Sequence, residues 1–184
     1  MIITHEREKL IHAINFFAQN TRKLGKTKLF KLLYFTDFEH FKQTGRSMTG
    51  LGYFAWPMGP VPVSLQNEIP APQPDMEAIV SFEEIALANG SAMTTVKPKA
   101  DFASHYFSPR ELRIMGALAG EHYNSDANAM VEATHLENLP WDRVYNQENK
   151  QQAEIPYELA LKADEKDMIM KIASDRAELL ANLK

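Results

Sequence analysis

The chain has 184 residues, of which 45% are hydrophobic and 24% charged, the range of ordinary globular proteins with one well-buried core. Its formal charge is −4, so no overall positive field attracts nucleic acid, and we expect no nucleic-acid partner. It contains no cysteine, which excludes a disulfide framework, a thiolate zinc site and a cysteine nucleophile. The first residues do not resemble a signal peptide, and no apolar run approaches the roughly 20 residues that span a bilayer. We therefore expect a cytoplasmic protein without membrane contact.

Two helices are predicted at the start of the chain. The first covers about residues 5–19, with Thr4 as its cap and apolar residues at helical spacing. The second covers about residues 28–42 after a cap at Thr27, and Gly45 ends it. Apolar residues cover most of the second helix, so we expect it to be the buried central helix. Its aromatic positions, which we assign to the core, are Phe30, Tyr34, Phe38 and Phe41.

A glycine- and proline-rich stretch follows, over residues 44–62. Glycines and prolines fix the backbone there, while Tyr53 and Trp56 supply aromatic side chains, so the stretch indicates a rigid binding shape. Residues 51–56 are β-prone, and Pro57 favours an extended backbone at Trp56. Residues 61–69 are predicted to form a short helix that starts near Pro62.

The middle of the chain is the least determined part. Six of the ten prolines fall between Pro57 and Pro74, which predicts an extended connector over residues 70–74. Residues 79–87 and 92–97, separated by Asn89 and Gly90, are compatible with a β-hairpin. Residues 82–87 are equally compatible with a helix.

Helical patterns return in the last third of the chain. Ser108, Pro109 and Glu111 form a capping-box signature for a helix to about residue 123. Ser125 is expected to cap a further helix over residues 126–134, and a last helix is expected over residues 164–180 with one set of buried residues. The buried positions expected on that last helix are Met168, Ile169, Ile172, Leu179 and Leu180. The predicted class is mainly α (α+β), with a short strand or hairpin. We expect a single domain over residues 1–184, divided into 1–69, a variable connector at 70–107, and 108–184.

The residues suggest little chemistry. Glu132 and His135 have the spacing of a di-iron motif. Such a site needs two copies of the motif and further glutamates, and the sequence has one copy. We therefore predict no metal site or cofactor and interpret His135 as a structural residue. No nucleophile elbow, dinucleotide fingerprint or phosphate loop occurs. We therefore predict no catalytic residue.

A basic run and two tryptophans leave alternatives open. The run is either a solvated face or a contact for an acidic or phosphate-bearing partner, and it opposes the dipole of the second helix. Its members are Arg22, Lys23, Lys26, Lys28 and Lys31. Trp56 and Trp141 either plug loops onto the central helix or anchor a partner.

The order of these motifs resembles the Panacea domain, which occurs in SocA-like and phage-associated GepA-like antitoxins. The first block is residues 28–40 (KLFKLLYFTDFEH) with 45–50, 53–56 and 59–62; the second is residues 108–111 with Tyr123, Ser125, 132–135 and 140–141. Thr36 departs from the usual alanine, and residues 70–107 and most of those after Tyr145 match nothing in the pattern. The motif positions to which we assign a structural role are Tyr34, Asp37, Gly45, Gly50, Pro57, Gly59, Pro60, Ser108, Glu111, His135, Pro140 and Trp141.

The resemblance implies a bacterial or prophage antitoxin that binds a cognate toxin, encoded by an adjacent gene, through direct protein–protein contact. Alternatives are a proteolytic adaptor or regulatory binding module, and an enzyme of unrecognised type. The residues expected to contact the partner are Lys31, Arg46, Tyr53, Trp56 and Met58. The sequence predicts neither the oligomeric state nor the identity of the toxin.

Overall fold

The computed structural model describes residues 4–136 and 139–182, and its order of elements confirms a mainly α class with short strands. The helices are α1 (Glu6–Asn20), α2 (Lys26–Thr44), α3 (Val63–Glu68), α4 (Pro74–Glu77), α5 (Pro109–Glu121), α6 (Ala127–Thr134), α7 (Pro140–Asp142) and α8 (Ala163–Asn182). The strands are β1 (Phe54–Trp56), β2 (Gly59–Val61), β3 (Val80–Ala86) and β4 (Ala92–Pro98). Short 3₁₀ turns cover Ser104–Tyr106 and Tyr157–Ala160, and one π-helical turn covers Arg143–Gln147.

The α2 helix is the buried centre of the fold, as its apolar pattern predicts. Its four aromatic core positions are all buried, and α1, α5, α6 and α8 pack around it. Gly45 ends the helix in the left-handed conformation at φ 71°, which confirms the predicted stop. The start differs from the prediction, because α2 begins at Lys26 with Gly25 as the capping residue rather than Thr27. Gly25 is extended because it bridges to Thr95 of β4.

The cap predicted for α1 is also different. His5 occupies the cap position with a left-handed backbone, and no side chain caps the helix. Thr4 therefore lies one residue before the capping position. The stripe of apolar residues on α1 is correct, since Leu10, Ile11, Ile14 and Phe17 are all buried.

The structure contains two antiparallel hairpins. β1 pairs with β2, with Trp56 opposite Gly59, so Pro57 and Met58 form the turn. β3 pairs with β4 over seven residue pairs, which decides the open choice between hairpin and helix in favour of the hairpin. The predicted connector over residues 70–74 has no helix or strand before its last residue, and α4 starts there at Pro74 because proline suits the first turn of a helix.

Two predictions about the last helices need correction. Asp126, not Ser125, caps α6, and its carboxylate accepts a hydrogen bond of 2.8 Å from the Ala129 N–H. On α8 only Ile169 is buried, because a single line of the helix packs against the end of α2 near Gly45. Three positions expected in the core are instead exposed: Met168, Ile172 and Leu179. By contrast, the capping box of α5 is confirmed, with Ser108 and Glu111 bonded in both directions.

Candidate functional site

A buried carboxylate organises the glycine-rich segment between α2 and β1. Asp37, fully buried in α2, accepts hydrogen bonds of 2.8 Å from the backbone N–H groups of Met48 and Thr49. The Tyr53 hydroxyl donates to the same carboxylate at 2.7 Å, and the Thr49 hydroxyl does so as well. Gly45 and Gly50, both at positive φ, allow the chain to turn around this centre. The carboxylate therefore fixes the shape of the segment.

Burial dominates the electrostatics of this carboxylate. Removal from water raises the pKa of Asp37 to about 6, although the donors from Thr49, Tyr53 and Met48 oppose the rise. The same burial and the nearby carboxylate raise the pKa of Tyr53, so its hydroxyl stays a donor. The group serves as a structural centre because its oxygens already accept hydrogen bonds from within the chain.

A buried lysine supports the β1–β2 hairpin from the other side. Lys31 is 1% exposed, and its Nζ donates a 2.9 Å hydrogen bond to the Pro60 carbonyl. Burial lowers the pKa of Lys31 to about 7. Gly59 lies directly against it at φ 93°, and a Cβ there would lie 2.9 Å from Lys31 Cε and 2.7 Å from Thr134 Oγ1. Only glycine fits this contact between hairpin, α2 and α6.

An aromatic stack joins the hairpin to the end of α6. The His135 ring lies parallel to Trp141 with centroids 3.7 Å apart, and Trp141 stacks on Tyr145 at 4.6 Å. The Trp141 indole N–H donates to the Trp56 carbonyl at 2.9 Å. Trp141, 3% exposed, therefore plugs the loop into the core, which is the first of the two interpretations left open for it. His135 Nε2 is buried and has no hydrogen-bond partner among residues 4–136 and 139–182.

The surface above this framework is mainly apolar. Met58 is 57% exposed at the tip of the β1–β2 turn, next to exposed Pro57 and half-buried Trp56. Leu136, 60% exposed, follows His135 directly at the end of α6. We call these five residues, Trp56, Pro57, Met58, His135 and Leu136, the motif face. A rigid backbone with an exposed methionine suits a protein contact.

The structure divides the five predicted contact residues into three groups. Trp56 and Met58 lie on the motif face, whereas Lys31 and Tyr53 lie inside the fold beneath it and offer no accessible surface. Arg46 lies beyond the C-terminal end of α2, about 20 Å along the helix from Lys31 by the rise per residue. Its carbonyl lies 2.8 Å from His40 Nδ1. Contact of these residues with a partner stays a prediction.

A buried ion pair beneath α5 was not foreseen from the sequence. Glu111, the capping-box residue, also accepts a 2.6 Å bond from Lys9 Nζ of α1, and His40 Nε2 lies 3.6 Å from the same oxygen. Burial by itself would raise the pKa of Glu111, but the hydrogen bonds from Lys9 and Ser108 outweigh it, so the pKa is lowered. The capping signature indicated only the local role, because Lys9 lies 102 residues away in the chain.

The basic run does not form one solvated face. Lys28 Nζ donates to the carbonyls of Arg22 and Tyr123, both at 3.1 Å, and Lys31 points into the core. Lys28 and three other members of the run line a cavity of about 530 Å³ between the start of α2, the start of β4 and the start of α6. We call this cavity the basic groove, lined by residues that include Arg22, Lys23, Lys26, Lys28, Leu87, Met93 and Asp126.

Fold and surface together define a mainly α protein whose motif residues build a rigid turn. Within residues 4–136 and 139–182, no three histidine or acidic side chains come together as a metal site would require. None of the helices in those ranges combines the length and apolar character needed to cross a membrane.

The chain belongs to the family described as antitoxin SocA-like, Panacea domain, whose model matches residues 29–142. This span runs from the first turn of α2 to the end of α7, and it contains Asp37, the motif face and the whole β3–β4 hairpin. The family assigns an antitoxin-like role in general terms and favours binding over catalysis. No curated protein and no solved structure matches the chain.

Proposed function

We propose that the protein is an antitoxin that neutralises a cognate toxin, encoded by an adjacent gene in a bacterium or prophage, by direct binding in the cytoplasm. Membership of the SocA-like antitoxin family supports the class of function. The observation that carries the mode of action is the exposed Met58 on a turn held from below by Lys31 and Gly59.

The motif face is the surface that we assign to the toxin. Its turn cannot relax easily, since the Trp56 carbonyl is bonded to Trp141 and the other edge of β1 pairs with residues 152–155. A rigid turn loses little conformational entropy when it binds, so the exposed Met58 and the accessible part of half-buried Trp56 contribute efficiently to affinity. A standard interface buries about 1,600 Å² in total, so the toxin must also cover surface around the motif face.

Co-expression tests the proposal. Each flanking gene is expressed alone and with this protein, growth is scored, and complexes are purified. We expect one neighbour to be lethal alone, to be rescued by this protein and to co-elute with it. If no neighbour is toxic or binds, the antitoxin proposal is wrong. If a neighbour instead disappears faster in the presence of this protein, the adaptor function replaces neutralisation by binding.

Two matched variants locate the contact. Met58→Asp places a charge on the motif face, whereas Leu179→Asp places one on α8 at a residue of similar exposure (57% and 54%). We expect Met58→Asp and Trp56→Ala to abolish rescue and co-elution while Leu179→Asp preserves both. Equal behaviour of Met58→Asp and Leu179→Asp would remove the motif face from the interface.

A further inference from the structure

The basic groove has an electrostatic sign opposite to that of the chain. Four basic side chains and only one acidic side chain, Asp126, line it, whereas the whole chain carries −4. The Asp126 carboxylate is already occupied as the cap of α6. Across the described ranges, 4–136 and 139–182, Arg22, Lys23 and Lys26 form no ion pair. The groove therefore carries a net positive charge, which the single carboxylate of Asp126 offsets only in part.

Three of the groove lysines occupy positions with a local cost, which Lys28 offsets by its bonds to two carbonyls. Lys26 and Lys28 occupy the first turn of α2, which has no acidic residue, so they oppose the helix dipole. Lys23 has a left-handed backbone at φ 49°, a conformation that is unfavourable for a residue other than glycine. A local arrangement that opposes stability is more often found where a surface binds something.

The opposite wall of the groove is apolar. Leu87 and Met93, at the turn end of the β3–β4 hairpin, are 40% and 37% exposed. Ile85 of the same hairpin is 42% exposed. A partner that fits the groove must therefore present acidic groups to one wall and apolar groups to the other.

We propose that the basic groove binds an acidic, amphipathic segment of a partner protein. The charge complementarity selects acidic side chains, and Leu87 and Met93 select the apolar ones. A cavity of about 530 Å³ holds a few side chains, so the occupant is a short segment. Nucleic acid fits less well, because the chain is negatively charged overall and one wall of the groove is apolar.

The groove and the motif face can be covered by the same partner. Asp126 and Ala127 at the start of α6 line the groove, and Thr134 at its end contacts the Gly59 position of the motif hairpin. The eight residues of α6 span about 12 Å, so the two surfaces are neighbours. We identify this shared partner with the toxin, and that identification rests on the proposed function. The binding of an acidic segment in the basic groove does not depend on it.

A peptide titration on the full chain tests the inference. The probe is a fluorescein-labelled synthetic peptide of alternating glutamate and leucine, followed by fluorescence anisotropy and by amide chemical shifts of the ¹⁵N-labelled protein. We expect saturable binding that weakens with ionic strength, with shift changes concentrated in residues 22–28, 87–94 and 124–127. The comparison probes are a lysine–leucine peptide and a short DNA duplex.

Charge-reversal variants give the matched control. Lys23→Glu with Lys26→Glu reverses two groove charges, and Lys166→Glu with Lys171→Glu makes the same change in net charge on α8. We expect the groove pair to weaken peptide binding by about tenfold or more and the α8 pair to leave it nearly unchanged. Shift mapping on the unmodified protein keeps the test valid if a variant misfolds.

The outcomes separate the two proposals. No binding of the acidic peptide, or shift changes outside the groove, would overturn the inference while leaving rescue of a toxic neighbour intact. Tighter binding of the DNA duplex at the same residues would also overturn it, in favour of nucleic acid. Peptide binding by Met58→Asp at unchanged affinity, together with its loss of rescue, would show that the groove acts independently of the motif face.

Discussion

The two hairpins of this protein obtain their structure in different ways. β1 and β2 have three residues each, yet Ala55, Gly59, Pro60 and Val61 are buried and residues 152–155 pair along the free edge of β1. β3 and β4 pair over seven residues, yet most side chains near their turn are exposed. The short hairpin is held by its surroundings along its whole length, whereas the turn end of the long one is held by its own ladder and only its other end is anchored, through Leu24 and Gly25. Equivalent substitutions should therefore have unequal effects in the two.

We expect the largest effect on stability at Asp37, the buried carboxylate that fixes the segment leading into the short hairpin. Asp37→Ala leaves buried donors of Met48, Thr49 and Tyr53 without an acceptor, so we expect a loss of about 3–4 kcal/mol in the free energy of unfolding. Urea denaturation followed by circular dichroism measures it. Tyr53→Phe removes one donor and should cost about 1 kcal/mol. Equal losses in the two variants would show that the carboxylate is not the centre of the segment.

The turn glycines offer the most direct comparison. Gly59→Ala is expected to lower the free energy of unfolding by about 2–3 kcal/mol, because the new Cβ meets Thr134 and Lys31 at a positive φ. Gly90→Ala in the long hairpin also lies at positive φ, 81°, but in open space, so we expect only about 1 kcal/mol. Thermal and urea unfolding of both variants checks the difference. If the Gly90 variant lost as much stability as the Gly59 variant, the close contacts around Gly59 would not be the cause of the larger loss expected there.

Lys31, the α2 residue that supports the short hairpin, and Lys97 of the long hairpin should affect stability differently. Burial lowers the pKa of Lys31 from 10.5 to about 7, so between these values the unfolded chain binds a proton that the folded chain does not. Stability attributable to Lys31 therefore rises as pH increases through this window, by about 1 kcal/mol per pH unit, and is lowest below pH 7. Unfolding at pH 7, 8 and 9 measures the slope, and Lys31→Met should remove this part of it. An unchanged slope in Lys31→Met would contradict the burial argument.

The control is Lys97→Met, which breaks an exposed ion pair with Glu83. It should change the free energy of unfolding by less than about 1 kcal/mol.

At the solvent-facing side chains the two hairpins should behave alike. Met58→Ala and Met93→Ala remove exposed methionine side chains, so each should change the free energy of unfolding by no more than about 0.5 kcal/mol. The measurement is again urea denaturation. A loss above about 1 kcal/mol at Met58 would mean that the motif face is part of the fold's stability rather than a free surface.

Much of the framework was predictable from short-range patterns. The apolar stripe of α1, the aromatic core of α2, the Gly45 stop and the capping box of α5 each depend on residues within one or two helical turns. The predicted caps of α2 and α6 were wrong because a neighbouring residue occupies the capping position. At α2 this residue is Gly25, which bridges to β4, and at α6 it is Asp126 instead of Ser125. The exposed stripe of α8 could not be foreseen, because an apolar pattern does not say whether a partner surface covers it.

The sequence by itself determined the positions of the long helices, the Gly45 stop of α2 and the Ser108 start of α5, and that the chain carries the Panacea motifs. Only the tertiary structure decided what those motif residues do. Lys31 and Tyr53 are buried supports, while Met58 is exposed, because distant segments fill the space around the first two and leave the third in solvent. The pairing of Glu111 with Lys9 has the same origin. Burial and ion pairing depend on contacts between residues far apart in the chain, and local patterns cannot encode those contacts.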